Sequence, residues 1–226
     1  MRAEPRTAPR WEVHEWRAPA DELHGRDLIG GDDRPHHAAW FLDATAPALV
    51  IGSTQAEPSA ADLPVVRRRS GGGAVLVGDG TATWLDLVIP RSSPLWHDDV
   101  GVAMHWVGDT WAGALDALGM SVSVHRGPLR HSEWSRTVCF AGLGPGEVVD
   151  GEGRKVVGVS QRRTRAGARF QSVAYHRGAI ERIVDVLDLG DRTAEVGLEL
   201  AATTARAEVE PDALRAALIS HLPTLG

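Results

Sequence analysis

Arg67-Arg68-Arg69-Ser70-Gly71-Gly72-Gly73-Ala74-Val75 is the strongest local signal in the chain. A strand candidate over 65–69 leads through Ser70 into three consecutive glycines, and a second, apolar strand candidate over 74–77 follows at once. Glycine has no Cβ, so a backbone of this kind can approach a ligand closely and present its N–H groups. The adjacent arginines can grip phosphate or carboxylate oxygens in a fork. On a strand, Arg67 and Arg69 share one face and Arg68 takes the other. The stretch reads as strand, loop and strand against an anionic ligand. On glycine content alone, a flexible hairpin turn beside solvated charges fits as well. The spacing is neither that of a phosphate-binding P-loop nor that of a dinucleotide fingerprint.

A second stretch lies about eighty residues further on: Gly153-Arg154-Lys155-Val156-Val157-Gly158-Val159-Ser160-Gln161-Arg162-Arg163. Asp150-Gly151-Glu152-Gly153 is a natural tight turn, so 147–149 and 155–159 form a hairpin with Lys155 at a strand start. A lysine fixed on a rigid strand can hold an acyl carbonyl or a phosphate, or neutralise developing charge. Arg162, Arg163, Arg165 and Arg169 add a local positive field.

Lys155 is the only lysine, against 23 arginines. Arginine-rich, lysine-poor usage follows from GC-rich coding, and a lysine that persists in that setting is one that a planar, permanently charged fork does not replace. Cys139 is the only cysteine and sits sixteen residues upstream, in the apolar, strand-like run Thr137-Val138-Cys139-Phe140-Ala141-Gly142. It reads either as a small buried hydrophobe or as a thiolate nucleophile activated by nearby positive charge, and the local sequence favours the first.

The remaining pattern is α+β. Strands are predicted at 38–42, 48–52, 65–69, 74–77, 84–90 and 121–124, with a strand-rich block over 137–175. Asp98 or Asp99 caps a helix running to about Leu118, and further helices are predicted over 180–187 and 211–222. Strands dominate the middle and helices flank them. Residues 1–10 read as a loose tail and 11–226 as one domain.

Composition narrows the function. A chain of 226 residues, 43% hydrophobic with eight tryptophans, can bury a real core. One cysteine excludes an intrachain disulfide framework and a cysteine-rich zinc site, and no H-x-x-H or similar metal spacing occurs. The arginine-rich N-terminus has no apolar run after it, and no stretch approaches the length of a membrane span, so a cytoplasmic protein without a membrane partner is expected. A net charge of −6 argues against a nucleic-acid partner.

Taken together and in this order, the two glycine-bearing stretches resemble the lipoate–protein ligase and octanoyltransferase family, whose catalytic fold is shared with biotin–protein ligase. Residues 67–75 resemble its arginine-then-SGGGAV motif in the form typical of the ligases. Residues 153–160 resemble its G-(R/K)-K-(I/V)-x-G-(S/I)-(A/S) motif, with Lys155 on the catalytic lysine. Pro47-Ala48-Leu49-Val50-Ile51-Gly52-Ser53-Thr54-Gln55 resembles its earlier strand ending in hGxxQ. The similarity runs from about Ala48 to Gln171.

The resemblance implies a central mixed sheet flanked by helices and a tunnel for a lipoyl or octanoyl chain. It implies a substrate and adenylate pocket formed by Arg68, Arg69, Ser70, Gly71, Gly72, Gly73 and Ala74 with Gly158, Val159, Ser160 and Gln171. Two reactions share such a scaffold. A ligase uses ATP and Mg²⁺ to make lipoyl-adenylate and passes the acyl group to a lysine of a lipoyl domain or of the glycine-cleavage H protein. A transferase takes octanoyl from an acyl carrier protein or a lipoyl domain, in one branch through a cysteine thioester. Val138-Cys139-Phe140, with Glu147 and Lys155 downstream, resembles that branch and puts Cys139 on the nucleophile; Phe170-Gln171-Ser172-Val173 with Ser160-Gln161-Arg162-Arg163 resembles the branch that works between lipoyl domains. The ligase reading leads, the cysteine-dependent transferase follows, and a non-catalytic acyl-binding protein is third.

Overall fold

The structure, a computed structural model, describes residues 10–29, 36–58, 62–78, 80–176, 179–187 and 189–225. Apart from Arg10, the expected N-terminal tail lies outside the described residues. In chain order the strands are β1 (Glu12–Ala18), β2 (Ala38–Ala44), β3 (Ala48–Ile51), β4 (Val65–Arg67), β5 (Val75–Val77), β6 (Ala82–Pro90), β7 (Val122–Val124), β8 (Val148–Asp150), β9 (Lys155–Arg163) and β10 (Gly167–Tyr175). The helices are α1 (Ala20–Gly25), α2 (His105–Ala117), α3 (Ala179–Val186), α4 (Thr193–Thr203) and α5 (Pro211–Ser220).

Seven strands form the main sheet in the order β1-β2-β6-β10-β9-β8-β7. Only β1 and β2 run parallel, joined through α1; every other neighbour is antiparallel. A smaller sheet, β4-β3-β5, pairs β3 parallel to β4 and antiparallel to β5. The fold is therefore α+β around a central mixed sheet, as the sequence led us to expect.

Both faces of the main sheet are covered. Leu85, Leu87 and Ile89 of β6 pack with Phe170 against Trp111, Leu115, Leu214 and Leu218 of α2 and α5. Trp84 of β6 and Val173 and Tyr175 of β10 face the smaller sheet, α3 and α4. Double burial explains why 84–90 reads as a nearly unbroken apolar run rather than an alternation. Asp86, in the middle of that run, is fully buried, and it belongs to the site below.

Three elements escaped the sequence pattern. The edge strand β1 carries charges on a mostly exposed surface, α1 is only six residues long, and α4 is interrupted by Gly197. The predicted helix over 98–118 starts later, with a 3-10 turn at Val102–Met104 leading into α2. Asp99 does cap it, its Oδ1 accepting the amides of Gly101 at 2.8 Å and Val102 at 2.9 Å.

Two departures shape the site. The strand expected over 65–69 stops at Arg67, and Arg68 turns inward and is buried. The strand-like run around Cys139 is instead a 3-10 turn, Cys139–Ala141. Its approach does pair like a strand, with the Ala74 amide donating to the Thr137 carbonyl (2.8 Å) and the Cys139 amide to the Ala74 carbonyl (3.0 Å). The chain then turns under the main sheet, and Phe140 is buried 4.8 Å from the Tyr175 ring. The run is apolar because Val138, Phe140 and Ala141 pack into the core, not because it crosses a sheet.

Candidate functional site

The glycine loop is held from beneath by Arg68. Its Nη2 donates to the carbonyls of Gly71 and Gly73, both at 2.8 Å, its Nε to Gly71 at 3.2 Å, and its Nη1 to Val50 at 3.3 Å. A buried guanidinium saturated by carbonyls fixes a loop that its glycines would leave loose. Gly72 has φ +100°, and a side chain there would run into Arg68 Nη2 at 2.8 Å. Gly52, in the hGxxQ stretch, has no room for a Cβ either, since it would sit 1.9 Å from the Gly72 carbonyl oxygen. The amides of Gly71 and Gly72 make no hydrogen bond among the described residues. Arg67 and Arg69 stay exposed on the opposite side; Arg67 donates to the carbonyls of Gly52 and Gln55, and Arg69 to that of Gly25.

Lys155 reaches the same place because of a β-bulge. The pairing of β8 with β9 shifts register between Val148 and Val149, opposite Val157 and Lys155. Val156 and Val157 both enter the α2–α5 core, so the alternation restarts and Lys155 leaves on the other face, with Gly158 and Ser160. Its Nζ donates to the carbonyls of Cys139 and Gly142 and to both oxygens of Glu147, all at 2.8 Å, and lies 5.0 Å from the Phe140 ring centroid. Glu147 also accepts the amides of Gly144 (2.6 Å) and Val159 (3.1 Å). Both side chains are almost wholly buried, at 3% and 5% exposure. Two charges out of water hold together only when the remaining donors and acceptors are satisfied, and here they are. The three ammonium protons are shared among four acceptors, so a ligand oxygen that reaches Nζ must displace a backbone carbonyl.

Two cavities meet beside this pair. An open cleft of about 600 Å³ is lined by Gly71–Gly73, His131, Arg136, Glu147 and Lys155, among others. A narrow slot of about 40 Å³ runs inward between the sheets, walled by Val75, Val77, Trp84 and Val173. Cys139, Val159 and Ser160 line both and form the mouth of the slot. Arg68 lies near the Cys139 thiol, and its burial pulls the guanidinium below its ordinary value while the cysteine opposes that shift.

The inner wall of the slot is a polar network. Asp86 accepts from Arg169 Nε (2.6 Å) and from Trp84 Nε1 (2.7 Å). Burial pushes the Asp86 carboxyl up, and the Arg169 charge counters it. Arg169 donates to the carbonyls of Leu23 (2.9 Å) and Arg26 (3.2 Å), tying the end of α1 to the sheet. Ser70 Oγ donates to Gln171 Oε1 (3.0 Å) and lies 3.1 Å from Ser160 Oγ, while Gln171 Nε2 faces His24 Nδ1 at 3.3 Å.

His24 is buried and stacks on Trp84 with ring centroids 4.7 Å apart. Burial, then the charges of Arg169 and Arg68, lower its pKa from 6.5 to about 3. A proton therefore binds the unfolded chain first as pH falls, so the stability that the neutral ring contributes is present above 6.5 and is lost between 6.5 and about 3. Thermal melts should show the wild type losing stability across that window more steeply than His24→Phe, which carries no proton.

Of the expected site residues, Gly71, Gly72, Gly73 and Lys155 line the cleft, Arg68, Gly158 and Gln171 line the slot, and Cys139, Val159 and Ser160 line both. Ser70 acts through its hydrogen bonds, while Arg69 and Ala74 line neither cavity. The positive field expected from Arg162, Arg163, Arg165 and Arg169 does not face the cavities. Arg169 is paired with Asp86, Arg163 stacks on Trp96, and Arg136 is the arginine on the cleft. His24 and Asp86 were not legible as site residues, since nothing local marks a lone histidine in a six-residue helix or an acid in a strand. Among the described residues, the one group of histidine and acidic side chains close enough to hold a cation is Glu12, His14 and His36, at the β1 edge and outside both cavities. No helix among the described residues is long and apolar enough to cross a membrane.

The lipoyl protein ligase A/B catalytic domain matches residues 31–207, a segment that holds the glycine loop, the Cys139 turn and Lys155. No curated protein sequence matches the chain. Among solved structures, the fold is similar to that of the bi-partite lipoate protein ligase of Thermoplasma acidophilum, with a TM-score of 0.73 and 16% identity over 94% of this chain and 82% of that one. A T. acidophilum protein assigned as a lipoate protein ligase, with bound lipoic acid, gives a TM-score of 0.70 and 16% identity over 95% and 84%. A lipoate-protein ligase A bound with ATP gives 0.66 and 17% over 95% and 84%. At these identities the structural likeness is one of fold; the match along the sequence is what assigns the family. The chain belongs to the lipoyl protein ligase A/B catalytic-domain family.

Proposed function

We propose that this chain attaches a lipoyl or octanoyl group to a lysine of an acceptor protein, as a lipoate–protein ligase. The observation that carries the reading is the junction of the two cavities. A narrow apolar slot opens, at Cys139, Val159 and Ser160, into a cleft that holds unpaired loop amides, Arg136 and the buried Lys155. The slot, at about 40 Å³, would have to widen to take a medium-chain acid; its apolar walls would then cover the hydrocarbon while the charged end meets donors outside it. The bound lipoic acid and the bound ATP of two structural neighbours support the same pair of substrates.

ATP fits the cleft by charge and donor set, with Gly71 and Gly72 amides and Arg136 available to phosphate oxygens. When bound it supplies the adenylyl group: the acyl carboxylate attacks the α-phosphorus, pyrophosphate leaves, and the acceptor amine later displaces AMP. The one carboxylate lining the cleft, Glu147, is engaged by Lys155, so a Mg²⁺ ion there would be carried by nucleotide phosphates and water. Lys155 places its ammonium in the cleft beside the slot, where an acyl oxygen would become negative in either partial reaction, and a fixed charge there is the largest available electrostatic effect. Glu147 positions it. Lipoyl domains are the acceptors this reading takes first, because the T. acidophilum ligase is paired with an E2 lipoyl domain; the H protein is the second.

A second reading, transfer through a thioester on Cys139, is favoured by the Arg68 contact with the thiol at the slot mouth. Cys139→Ala separates the two. On the ligase reading the variant retains lipoate- and ATP-dependent acylation within about threefold of wild type, since the thiol makes no bond to the acyl group. Loss of all acylation together with a covalent octanoyl adduct on wild-type Cys139, formed from octanoyl carrier protein, would establish the thioester route instead.

A further inference from the structure

Three side chains that the acyl site does not use converge at the outer end of β1. Glu12 and His14 stand two residues apart on that strand, so their side chains leave the same face. The Glu12 amide donates to the His37 carbonyl at 2.9 Å, and Glu12 is in register with Ala38, which brings the chain entering β2, with His36, alongside. One carboxylate oxygen, Glu12 Oε2, then lies 3.2 Å from His36 Nε2 and 3.5 Å from His14 Nε2. All three ligand atoms fall within 4.8 Å of one another. The His14 ring is held in place by its stack on Trp40, with centroids 4.2 Å apart. Its Nε2 is shielded from solvent and has no hydrogen-bond partner among the described residues.

Two imidazole nitrogens turned on one carboxylate oxygen need positive charge between them, either a proton on each ring or a single cation. The spacing suits the cation. With bonds of 2.0–2.1 Å to a tetrahedral zinc ion, two ligand atoms stand about 3.3 Å apart, and the two nitrogen–oxygen separations here lie on either side of that value. Imidazole ligands select a transition metal such as zinc, whereas magnesium and calcium take oxygen shells. We propose that Glu12, His14 and His36 form a binding site for a divalent transition-metal ion, zinc by its geometry, with water as the fourth ligand. The partly exposed side chains leave that fourth position open to solvent. The ion ties the outer end of β1, an edge strand of the main sheet, to the chain entering β2. The site lies outside both cavities and is independent of the acyl-attachment reading.

The test is titration calorimetry of zinc ions alone into the full chain, stripped of metal with a chelator, on wild type, His14→Phe and His36→Ala. Circular dichroism checks that each variant is folded. The phenyl ring keeps the stack on Trp40 and removes the ligand nitrogen, and position 36 is exposed, so its truncation leaves the core untouched. Wild type should bind zinc, and magnesium in the same buffer should not displace it. Each variant should weaken that binding about tenfold or more, since losing even a partner outside the ligand shell costs that much. No zinc binding by wild type, displacement by magnesium, or a loss smaller than tenfold in either folded variant overturns the proposal; zinc held by Cys139 instead would give the last of these. Should His14→Phe fail to fold, His36→Ala decides alone. The measurement uses no acyl substrate, so its failure leaves the ligase reading intact.

Discussion

On the acyl-attachment reading, Lys155→Met should lower kcat/KM for acyl transfer by about a thousandfold or more, because it removes the charge that would face the acyl oxygen. It should also destabilise the fold by about 3–5 kcal/mol, because Glu147 is left buried without its partner. The two effects must be separated before the first means anything. Lys155→Met with Glu147→Gln removes both charges and keeps an acceptor for one of the two amides, Gly144 and Val159, that Glu147 satisfies through separate oxygens. The double variant should regain part of the lost stability in denaturant unfolding, one buried amide being left without an acceptor, and stay at background activity. Lys155→Arg should not rescue activity. A planar fork cannot share one nitrogen among two carbonyls and a carboxylate above the Phe140 ring, as the compact ammonium does.

Asp86→Ala should produce the second large effect, about 3–5 kcal/mol of lost stability, by leaving Arg169 buried and unpaired. For a chain of this size that corresponds to a fall in Tm of roughly 10 °C. The consequence reaches function through α1. Arg169 holds the carbonyls of Leu23 and Arg26, and α1 carries His24 to the slot wall. An arginine freed of Asp86 leaves that helix end loose, so KM for the acyl acid should rise several-fold more than kcat falls. Asp86→Leu with Arg169→Met should restore stability without restoring KM. Equal losses in kcat and KM, or a restored KM in the double variant, would show that the pair supports packing alone.

The α+β architecture and the two glycine stretches were legible because each depends on local chemistry. Three glycines between two strand candidates need a close approach, and Asp150-Gly151-Glu152-Gly153 needs a turn. The elements that escaped depend on distant partners. Glu12–Ala18 looks like surface until Ala38–Ala44 lies beside it, and the bulge opposite Val148 that aims Lys155 cannot be read from 153–160. The Cys139 run misled for the same reason: burial under a cavity and burial in a sheet select the same apolar residues. Lys155 was recoverable from its isolation among arginines. Its carboxylate partner, Glu147, could be noticed in the sequence, but only the fold puts the two 2.8 Å apart. His24 and Asp86 carry no local mark at all, and both matter only because α1, β6 and β10 converge on one slot.

The most direct test of the central claim is the intact mass of a purified lipoyl domain after incubation with this chain, lipoate and ATP. One lipoyl group should be gained on a lysine with the wild-type chain, none when ATP is omitted, and none with the folded Lys155→Met, Glu147→Gln variant. Lipoylation by that double variant at a rate near wild type would contradict the claim, because the charge in the cleft beside the slot would then have no part in the chemistry.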